Sequence, residues 1–332
     1  MSLAIRLLQA GAKPVLFSCQ EENGASAIAA GLMNPIVFKR LTKAWRSDEF
    51  LAEANTFYSK LEEILGSQFY IKPDFYRVHG SDYEQKSWKE MSAETEFSSF
   101  LGRAAQDQSA ELLNAPFGQS FLLGASAVLS SDFLKSAKNY LLGQGCFRQE
   151  KLEYDKIRYL SHQVEYKDIA ASRIIFCTGA EAALEGPFKG LPFKIAKGEV
   201  LTISCKLPDV IFNGKIYGVP LSNGTFKVGS TYSWDNLNNI PTSEGKAEIT
   251  KHLDNLLKIP YEVLQHQAGL RPTIKDRRPL LGLSKHQPRA GIFNGLGTKG
   301  YLMAPLLSLE MCRFLLEGKP LHPETDIARF EF

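Results

Sequence analysis

Long apolar runs are missing from this 332-residue sequence. No stretch approaches the ~20 residues that a helix needs to cross a bilayer. The first segment, Ser2–Gln9, is apolar but short, and neither a basic region nor a cleavage site of a secretory signal accompanies it. The sequence therefore predicts a cytoplasmic protein without a membrane span.

Cysteine is scarce and charge is nearly balanced. The five cysteines are far apart and include no C-x-x-C pair, which favours reduced thiols over a disulfide framework or a zinc site. The six histidines show no ligand spacing, so we expect no metal. A net charge of +3 without a basic block argues against a nucleic-acid partner. Neither a G-x-S-x-G elbow nor a G-x-x-x-x-G-K-[ST] phosphate loop occurs.

The start of the chain lacks a glycine loop. A doubly wound nucleotide-binding domain usually opens with a strand, a G-x-G-x-x-G loop and a helix. Here Leu3 and Leu7 already follow helical spacing, Gly11 is placed to stop that helix, and Pro14–Phe17 follows as a short strand. The helix is predicted but the strand and loop before it are not, so we expect a truncated gene model.

Helical and extended patterns alternate along the rest of the chain. Helices are predicted over residues 44–65, after a cap at Ser130 or Ser131, and over 243–257 and 301–316. Strands are predicted over 69–78, 262–269 and 291–294, and over 171–180, which ends in Thr178-Gly179. Ser222–Thr225 predicts a hairpin turn between two strands.

This interleaving predicts an α/β fold with two domains. A discontinuous Rossmann-like nucleotide-binding domain, without its first strand and glycine loop, is expected from residues 1–66, 130–192 and 268–332. A mainly antiparallel β-sheet substrate domain of α+β type is expected from residues 67–129 and 193–267.

Ala268–Gly282 contains a candidate anion clamp. Arg271 precedes Pro272, whose ring restricts the backbone that presents the guanidinium. A guanidinium in such a place can hold a carboxylate bidentately. The alternative is a structural ion pair, with Asp276 as the nearest acidic residue in the segment.

Asn294–Pro305 contains a candidate cofactor cradle. Gly295, Gly297 and Gly300 allow close approach to the backbone, and a helical pattern begins at Tyr301. Free N–H groups and the positive end of the helix dipole would stabilise negative charge there. An ordinary strand-to-helix loop is the alternative, although such a loop more often needs one glycine than three.

Together these segments resemble the C-terminal signature of the D-amino-acid oxidase-like family of FAD-dependent oxidoreductases, which includes glycine oxidases and D-amino-acid dehydrogenases. Gly-Leu-Arg-Pro at 269–272 and Lys-Asp-Arg-Arg-Pro-Leu-Leu-Gly at 275–282 match the family's run. The resemblance continues in order over nearly the whole chain, and it implies FAD as the cofactor.

The resemblance also implies roles for single residues. Arg271 would hold the substrate carboxylate, and Tyr217 of a Tyr-x-x-Pro strand would assist it, although a tyrosine in a β-rich segment more often serves packing. Leu221 follows that proline where many relatives have arginine, which leaves the substrate open.

The implied cofactor contacts fall into four groups. A small-residue segment would pass along the flavin, although such a segment can also be a plain helix start. That small-residue segment comprises Ser26, Ala29, Ala30, Gly31 and Leu32. Thr178 and Gly179, at the end of the last strand, would approach the phosphates, and Val164 would contact the adenine. The pyrimidine edge of the flavin would lie at the glycine turn, which comprises Gly295, Gly297, Thr298, Lys299, Gly300 and Tyr301.

Two departures from the family pattern fall on the ADP half of FAD. One is the missing glycine loop. The other is the acidic residue expected at the end of the second strand to hold the ribose. Ser18 occupies that place, and Glu21 and Glu22 follow shortly after it.

The implied reaction is hydride transfer from a small amine or amino acid to FAD, which gives an imine that hydrolyses in water. One alternative is a relative of the oxidase domain of the bifunctional tRNA wobble-uridine modifying enzyme, which acts on a nucleoside-linked, glycine-like group. The other is a truncated remnant that does not bind FAD. The sequence leaves the electron acceptor and the oligomeric state open.

Overall fold

The computed structural model of the chain describes residues 1–19 and 24–330. Glu21 and Glu22 lie outside this part of the chain. Within it, eight α-helices are formed: α1 (Ser2–Gln9), α2 (Ala25–Ile28), α3 (Ser47–Leu65), α4 (Asp82–Ser92), α5 (Gln108–Glu111), α6 (Ser130–Gly143), α7 (Ser243–Leu256) and α8 (Gly300–Glu317).

The strands of the same described residues number 21, and most are short. They are β1 (Leu16–Phe17), β2 (Leu32–Met33), β3 (Ile36–Val37), β4 (Thr42–Lys43), β5 (Tyr70–Ile71), β6 (Phe75–Val78), β7 (Leu101–Ala104), β8 (Gln119–Leu122), β9 (Ser126–Val128), β10 (Phe147–Arg148), β11 (Ile157–Tyr159), β12 (Val164–Tyr166), β13 (Ile169–Ala171), β14 (Ile174–Phe176), β15 (Ala196–Cys205), β16 (Ile211–Asn213), β17 (Tyr217–Pro220), β18 (Phe226–Gly229), β19 (Tyr261–Arg271), β20 (Leu280–Leu283) and β21 (Ala290–Asn294).

An eight-stranded, mostly antiparallel sheet is the largest element. Its strand order is β19-β15-β18-β17-β16-β6-β8-β7, and only β6 and β16 pair in parallel. The predicted hairpin at Ser222–Thr225 joins β17 to β18. Helix α7 packs on one face of the sheet over a core that includes Leu201, Phe226 and Val228. The side chains on the opposite face of β15, β17 and β18 therefore point away from α7.

Parallel strands form two smaller sheets. In one, β14 pairs in parallel with β21, and β20 lies antiparallel at its edge. In the other, β1 pairs in parallel with β10. Helices α1, α3, α6 and α8 share a core with these strands that includes Ile5, Phe50, Phe133 and Leu307. The predicted mixed α/β fold with a large antiparallel sheet is confirmed.

The helix ends follow from local chemistry. Helix α1 stops before Gly11, as its position predicted, and Gly11 adopts a φ of +80°. Thr242 caps α7 by accepting a hydrogen bond from the N–H of Gly245 at 3.1 Å. Helix α3 begins at Ser47 rather than at Ala44, with two acidic residues in its first turn.

Two local expectations are wrong. Neither Ser130 nor Ser131 caps α6, because Ser130 is already its first residue and its hydroxyl donates to the carbonyls of Ala27 and Ala29. The extended segment 69–78 divides into β5 and β6, which belong to different sheets. Tertiary pairing, which local pattern does not report, decides both outcomes.

Among residues 1–19 and 24–330, no helix is both long and apolar enough to span a membrane. The same residues include no cluster of three or more His, Cys, Asp or Glu side chains that could hold a metal ion.

Candidate active site

Arg271 lies at the end of edge strand β19, opposite Ala196 of β15. Its guanidinium extends across Gly198, where a Cβ would overlap it. Nη1 donates to the carbonyl of Lys197 at 3.1 Å, and Nη2 donates to Ser230 Oγ at 2.7 Å and to the carbonyl of Thr231 at 3.2 Å. Neutral acceptors therefore hold the guanidinium in place.

Arg271 has no carboxylate partner among the described residues. The ion pair with Asp276 that the sequence left open does not form, because Asp276 Oδ2 accepts instead from Arg329 Nε at 3.0 Å. Burial lowers the pKa of the Arg271 guanidinium, although a group with so high an ordinary pKa stays charged at neutral pH. A desolvated charge without a counter-charge is costly unless a ligand supplies one. This geometry suits an anionic ligand.

Tyr217 is brought to the same place by β17. It lies directly opposite Gly229 of β18, one residue before Ser230. Burial raises the pKa of the Tyr217 hydroxyl, against the opposing influence of nearby Arg271 and Ser230. The hydroxyl therefore remains protonated at neutral pH and can donate a hydrogen bond beside the guanidinium.

Gly198→Ala tests whether the position of the guanidinium matters, because it leaves the charge of Arg271 unchanged. The new methyl group would displace the side chain, so we expect about a 10- to 100-fold loss of kcat/KM for amino-acid substrates, with overpacking costing about 1–3 kcal/mol of stability. Steady-state kinetics and thermal unfolding measure the two effects. Gly143→Ala, at a glycine where a Cβ meets nothing within 4 Å, is the control for stability. Unchanged kinetics in Gly198→Ala would contradict this geometry.

The glycine turn (residues 295–301) contacts the small-residue segment (residues 26–32). The hydroxyl of Tyr301 donates to the carbonyl of Ser26 at 2.8 Å, and Lys299 Nζ donates to the carbonyl of Asn34 at 2.9 Å. Between these contacts, Ala29 and Ala30 lead to Gly31 and to Leu32, the first residue of β2. Two of the predicted segments are thus neighbours in space.

The other predicted segments join the same region. Asn294 Nδ2 donates to the carbonyl of Gly179 at 2.9 Å, which places the end of the β14 segment beside the turn. The N–H of Gly297 donates to the carbonyl of Pro272 at 3.2 Å, which connects the turn to the Arg271 segment. Thr298 lies exposed in a short 3-10 turn, and Gly300 begins α8.

Two lysines in this region, the buried Lys227 and the partly buried Lys299, lack acidic partners among the described residues. Lys227 of β18 is only 5% exposed, and its Nζ lies 3.4 Å from the carbonyl of Ala27. Burial lowers the pKa of Lys227, and it lowers the pKa of Lys299 to about 8. Together with Arg271, these lysines leave a positive region that a negatively charged cofactor would neutralise.

Two buried hydroxyls also lack partners. Thr178 Oγ1 lies near Tyr154 without a hydrogen bond of ordinary geometry, and Thr273 Oγ1 makes none among the described residues. Thr273 lies beside Gly297, where a Cβ would approach its hydroxyl to 3.4 Å. Buried polar groups are normally hydrogen-bonded, so a bound ligand is expected to supply the partner of each hydroxyl. These hydroxyls and lysines fit FAD, which carries a diphosphate and a polar ring edge.

Val164 is placed apart from these segments. It lies in β12, the middle strand of a three-stranded meander, opposite Tyr159 and Ala171. It is 4% exposed. Its proposed contact with adenine stays a prediction.

Ser18, at the place expected for the ribose-binding acid, directly follows β1. Its N–H donates to the carbonyl of Arg148 at 3.1 Å, and its hydroxyl donates to the carbonyl of Cys19 at 3.2 Å.

Four residues of this region were not found from the sequence. They are Gly198, Lys227, Ser230 and Tyr232, whose ring centre lies 5.1 Å from Arg271 Cζ. Lys227 gave a usable signal, because Phe226 and Val228 on either side of it face the core below α7. Strict alternation therefore turns Lys227 to the opposite face, where a lysine between apolar neighbours needs an explanation.

The lowered pKa of Lys299 predicts that cofactor binding depends on pH. With a pKa of about 8, Lys299 is protonated below that pH and neutral above it. An anionic ligand binds the protonated form better, so affinity for FAD should fall as pH rises, about tenfold between pH 7 and pH 9. Titration of the apoprotein with FAD, followed by flavin fluorescence, measures it. Lys299→Met should abolish this dependence, while Lys285→Met, at an exposed lysine, should retain it; equal slopes in both variants would refute the assignment.

Comparisons with known proteins identify the family and the fold of the chain. The sequence model of the DAO family, described as FAD dependent oxidoreductase, matches residues 1–313. The crystal structure of glycine oxidase from Bacillus cereus superposes with a TM-score of 0.82 at 17% identity, covering 97% of this chain and 95% of that one. At this identity the likeness concerns the fold.

Two curated relatives match about half of the chain. The tRNA 5-methylaminomethyl-2-thiouridine biosynthesis bifunctional protein MnmC of Marinobacter nauticus is 27% identical over 180 residues, 49% of this chain and 28% of its own length. The putative thiamine biosynthesis oxidoreductase ThiO of Rhizobium etli is 27% identical over 183 residues, 51% of this chain and 53% of its own length. The matched regions thus cover from about a quarter to half of these relatives. The match to the family over residues 1–313 is decisive, and the chain belongs to the DAO family of FAD-dependent oxidoreductases.

Proposed function

We propose that this chain oxidises a small amine or amino acid, with Arg271 as the clamp for the substrate carboxylate. The observation that carries the proposal is the buried guanidinium, held by three neutral acceptors and without a carboxylate partner among the described residues. Such a group is oriented in advance for an anionic ligand.

The residues proposed to hold FAD lie along the cradle described above. Gly295 and Gly297 lie just before the positive N-terminal end of α8, Gly300 is its first residue, and Lys299 adds a partly buried cation. Thr178 and Thr273 offer free hydroxyls. When bound, FAD would supply the redox chemistry, as the acceptor of a hydride from the substrate carbon next to the nitrogen.

The protein's own contribution would be orientation and electrostatics. Arg271 binds the carboxylate and fixes one end of the substrate, while the protonated Tyr217 hydroxyl donates a second hydrogen bond beside it. With that end fixed, the amine-bearing carbon would be held against the cofactor, so that the two reacting groups are already aligned. Arg271 and Tyr217 would therefore act mainly on substrate binding and alignment.

We further propose the two-domain division at residues 1–66, 130–192 and 268–332 against 67–129 and 193–267. The separate cores around α8 and around α7 support it. A cytoplasmic location is proposed as well, supported by five cysteines that form no disulfide.

A visible absorption spectrum, before and after incubation with FAD, tests the function. Retained flavin bands that bleach anaerobically when glycine, alanine or another small amino acid is added would support it. A protein that takes up no flavin, or whose flavin no amine or amino acid reduces, would refute it.

A second candidate is oxidation of a glycine-like group attached to a nucleoside. The match to the bifunctional MnmC protein favours it, although that match covers only 28% of the relative. A uridine carrying a glycine-like substituent, compared with free glycine in the same bleaching assay, separates the two candidates. Faster bleaching by the nucleoside would favour the second.

A further inference from the structure

Two exposed aromatic rings lie beside the Arg271 guanidinium. Residue 233 pairs with Lys197 in an antiparallel bridge, with N–H to carbonyl distances of 2.8 and 3.0 Å. Side chains alternate along extended backbone, so Tyr232 and Trp234 project to the face opposite that of Lys197. That is the face of Gly198, across which the guanidinium lies.

The two rings form a continuous surface that ends at the guanidinium. Their centres are 5.0 Å apart with the planes at 68°, an edge-to-face arrangement. Arg271 Cζ lies 5.1 Å from the centre of the Tyr232 ring, and Lys194 Nζ lies 5.0 Å from that of Trp234. Tyr232 is 46% exposed and Trp234 is 54% exposed. About half of the surface of each residue is thus open to solvent.

Hydrogen bonds from the side chains of Lys197 and Glu199 hold the segment that carries these rings. Lys197 Nζ donates to the carbonyl of Ile240 at 2.5 Å and to Asn238 Oδ1 at 3.2 Å. Glu199 accepts from the N–H and the hydroxyl of Thr242 at 2.9 and 2.8 Å, and its Oε2 lies 2.8 Å from His266 Nε2.

The charge of Glu199 is secured by these contacts. Burial alone would raise its pKa, but the hydrogen bonds of Thr242 and the charges of Lys197 and His266 hold the pKa below its ordinary value. The N–H of Thr231 also donates to the main-chain carbonyl of Glu199 at 3.2 Å, so hydrogen bonds hold the segment on both sides of the rings. The rings are therefore presented in a defined position before any ligand arrives.

We propose that Tyr232 and Trp234 form a stacking surface that selects substrates bearing a planar aromatic group. The substrate class is an amino acid or glycine-like amine whose carboxylate binds Arg271 and whose ring packs on the exposed aromatic faces. This inference rests on the proposed function, because it takes Arg271 as the carboxylate clamp.

Kinetics of the holoenzyme test the proposal. Anaerobic flavin reduction is compared for glycine and alanine against phenylalanine and tryptophan, with both enantiomers of each chiral substrate. Stacking predicts a higher kcat/KM for the aromatic substrates. In Trp234→Ala the ratio of aromatic to small substrates should fall about tenfold, with the small substrates unchanged. Tyr232→Phe should keep the preference. Tyr83→Ala, at a tyrosine of α4 that is 81% exposed, is the control.

A binding measurement separates this proposal from the proposed function. Anthranilate and acetate both carry a carboxylate, but only anthranilate carries a ring. Anthranilate should quench tryptophan fluorescence and bind at least about tenfold more tightly than acetate, and Trp234→Ala should remove that difference. If no amine reduces the flavin but anthranilate still binds through Trp234, the oxidase function fails and the stacking surface stands. Equal binding of both carboxylates in the wild type would overturn the stacking surface.

Discussion

Arg271→Leu is expected to lower kcat/KM for amino-acid substrates by about 30- to 5,000-fold. The range corresponds to the 2–5 kcal/mol lost when one partner of a buried, hydrogen-bonded charge pair is removed. The physical reason is that three neutral acceptors already hold the guanidinium, so in the complex its charge would be matched by the substrate carboxylate. Stopped-flow flavin reduction with several amino acids measures the effect.

Companion variants show whether the loss arises from carboxylate binding. Arg271→Lys keeps the charge but loses the planar guanidinium that the three acceptors orient, so its loss should be intermediate. Amines without a carboxylate, such as benzylamine, should be affected little by Arg271→Leu. Arg40→Leu, at an exposed arginine of the β3–β4 turn, should leave every rate unchanged. The clamp would be ruled out if Arg271→Leu kept kcat/KM for amino acids within threefold of the wild type.

Gly31→Ala is expected to destabilise the protein by about 2–5 kcal/mol and to weaken FAD retention. Gly31 has a φ of +67°, which costs an L-residue about 1–2 kcal/mol. In addition, its Cβ would overlap the carbonyl of Val128, at a point where the Val128 N–H donates to the Gly31 carbonyl at 3.1 Å. The small-residue segment would have to move away from β9. Thermal unfolding should show a Tm lower by about 3–7 °C.

Gly66→Ala is the matched control for this prediction. Gly66 ends α3 with a similar φ of +60°, but a Cβ there meets nothing within 4 Å. It should therefore cost only the backbone strain, about 1–2 kcal/mol, and leave FAD binding intact. Equal losses of stability in the two variants would mean that the close approach of Gly31 to β9 is unimportant.

Much of the fold follows from local sequence patterns. Helix α1 and its stop at Gly11, the β17–β18 hairpin and helix α8 all lie where spacing, glycine and turn residues predicted them. These features depend on neighbours within a few residues, so a single sequence reports them. The choice of sheet for a short extended segment does not, which is why residues 69–78 were misread as one strand.

The candidate site divides in the same way. The sequence proposed Arg271 and the glycine turn as candidates, because arginine before proline and three spaced glycines are unusual local patterns, and the family resemblance added Tyr217. The sequence left open whether Arg271 pairs with Asp276, and only the packed structure shows that Asp276 is taken by Arg329.

The sequence by itself thus determined the main helices, the hairpin and the segments that are proposed to carry the chemistry. Tertiary structure alone decided which charges find partners: Gly198 makes room for the guanidinium, Tyr232 covers it, and Lys227 is buried without a carboxylate among the described residues. The physical reason is that local conformation depends on short-range sterics and hydrogen bonds, whereas desolvation and ion pairing depend on residues far apart in the chain.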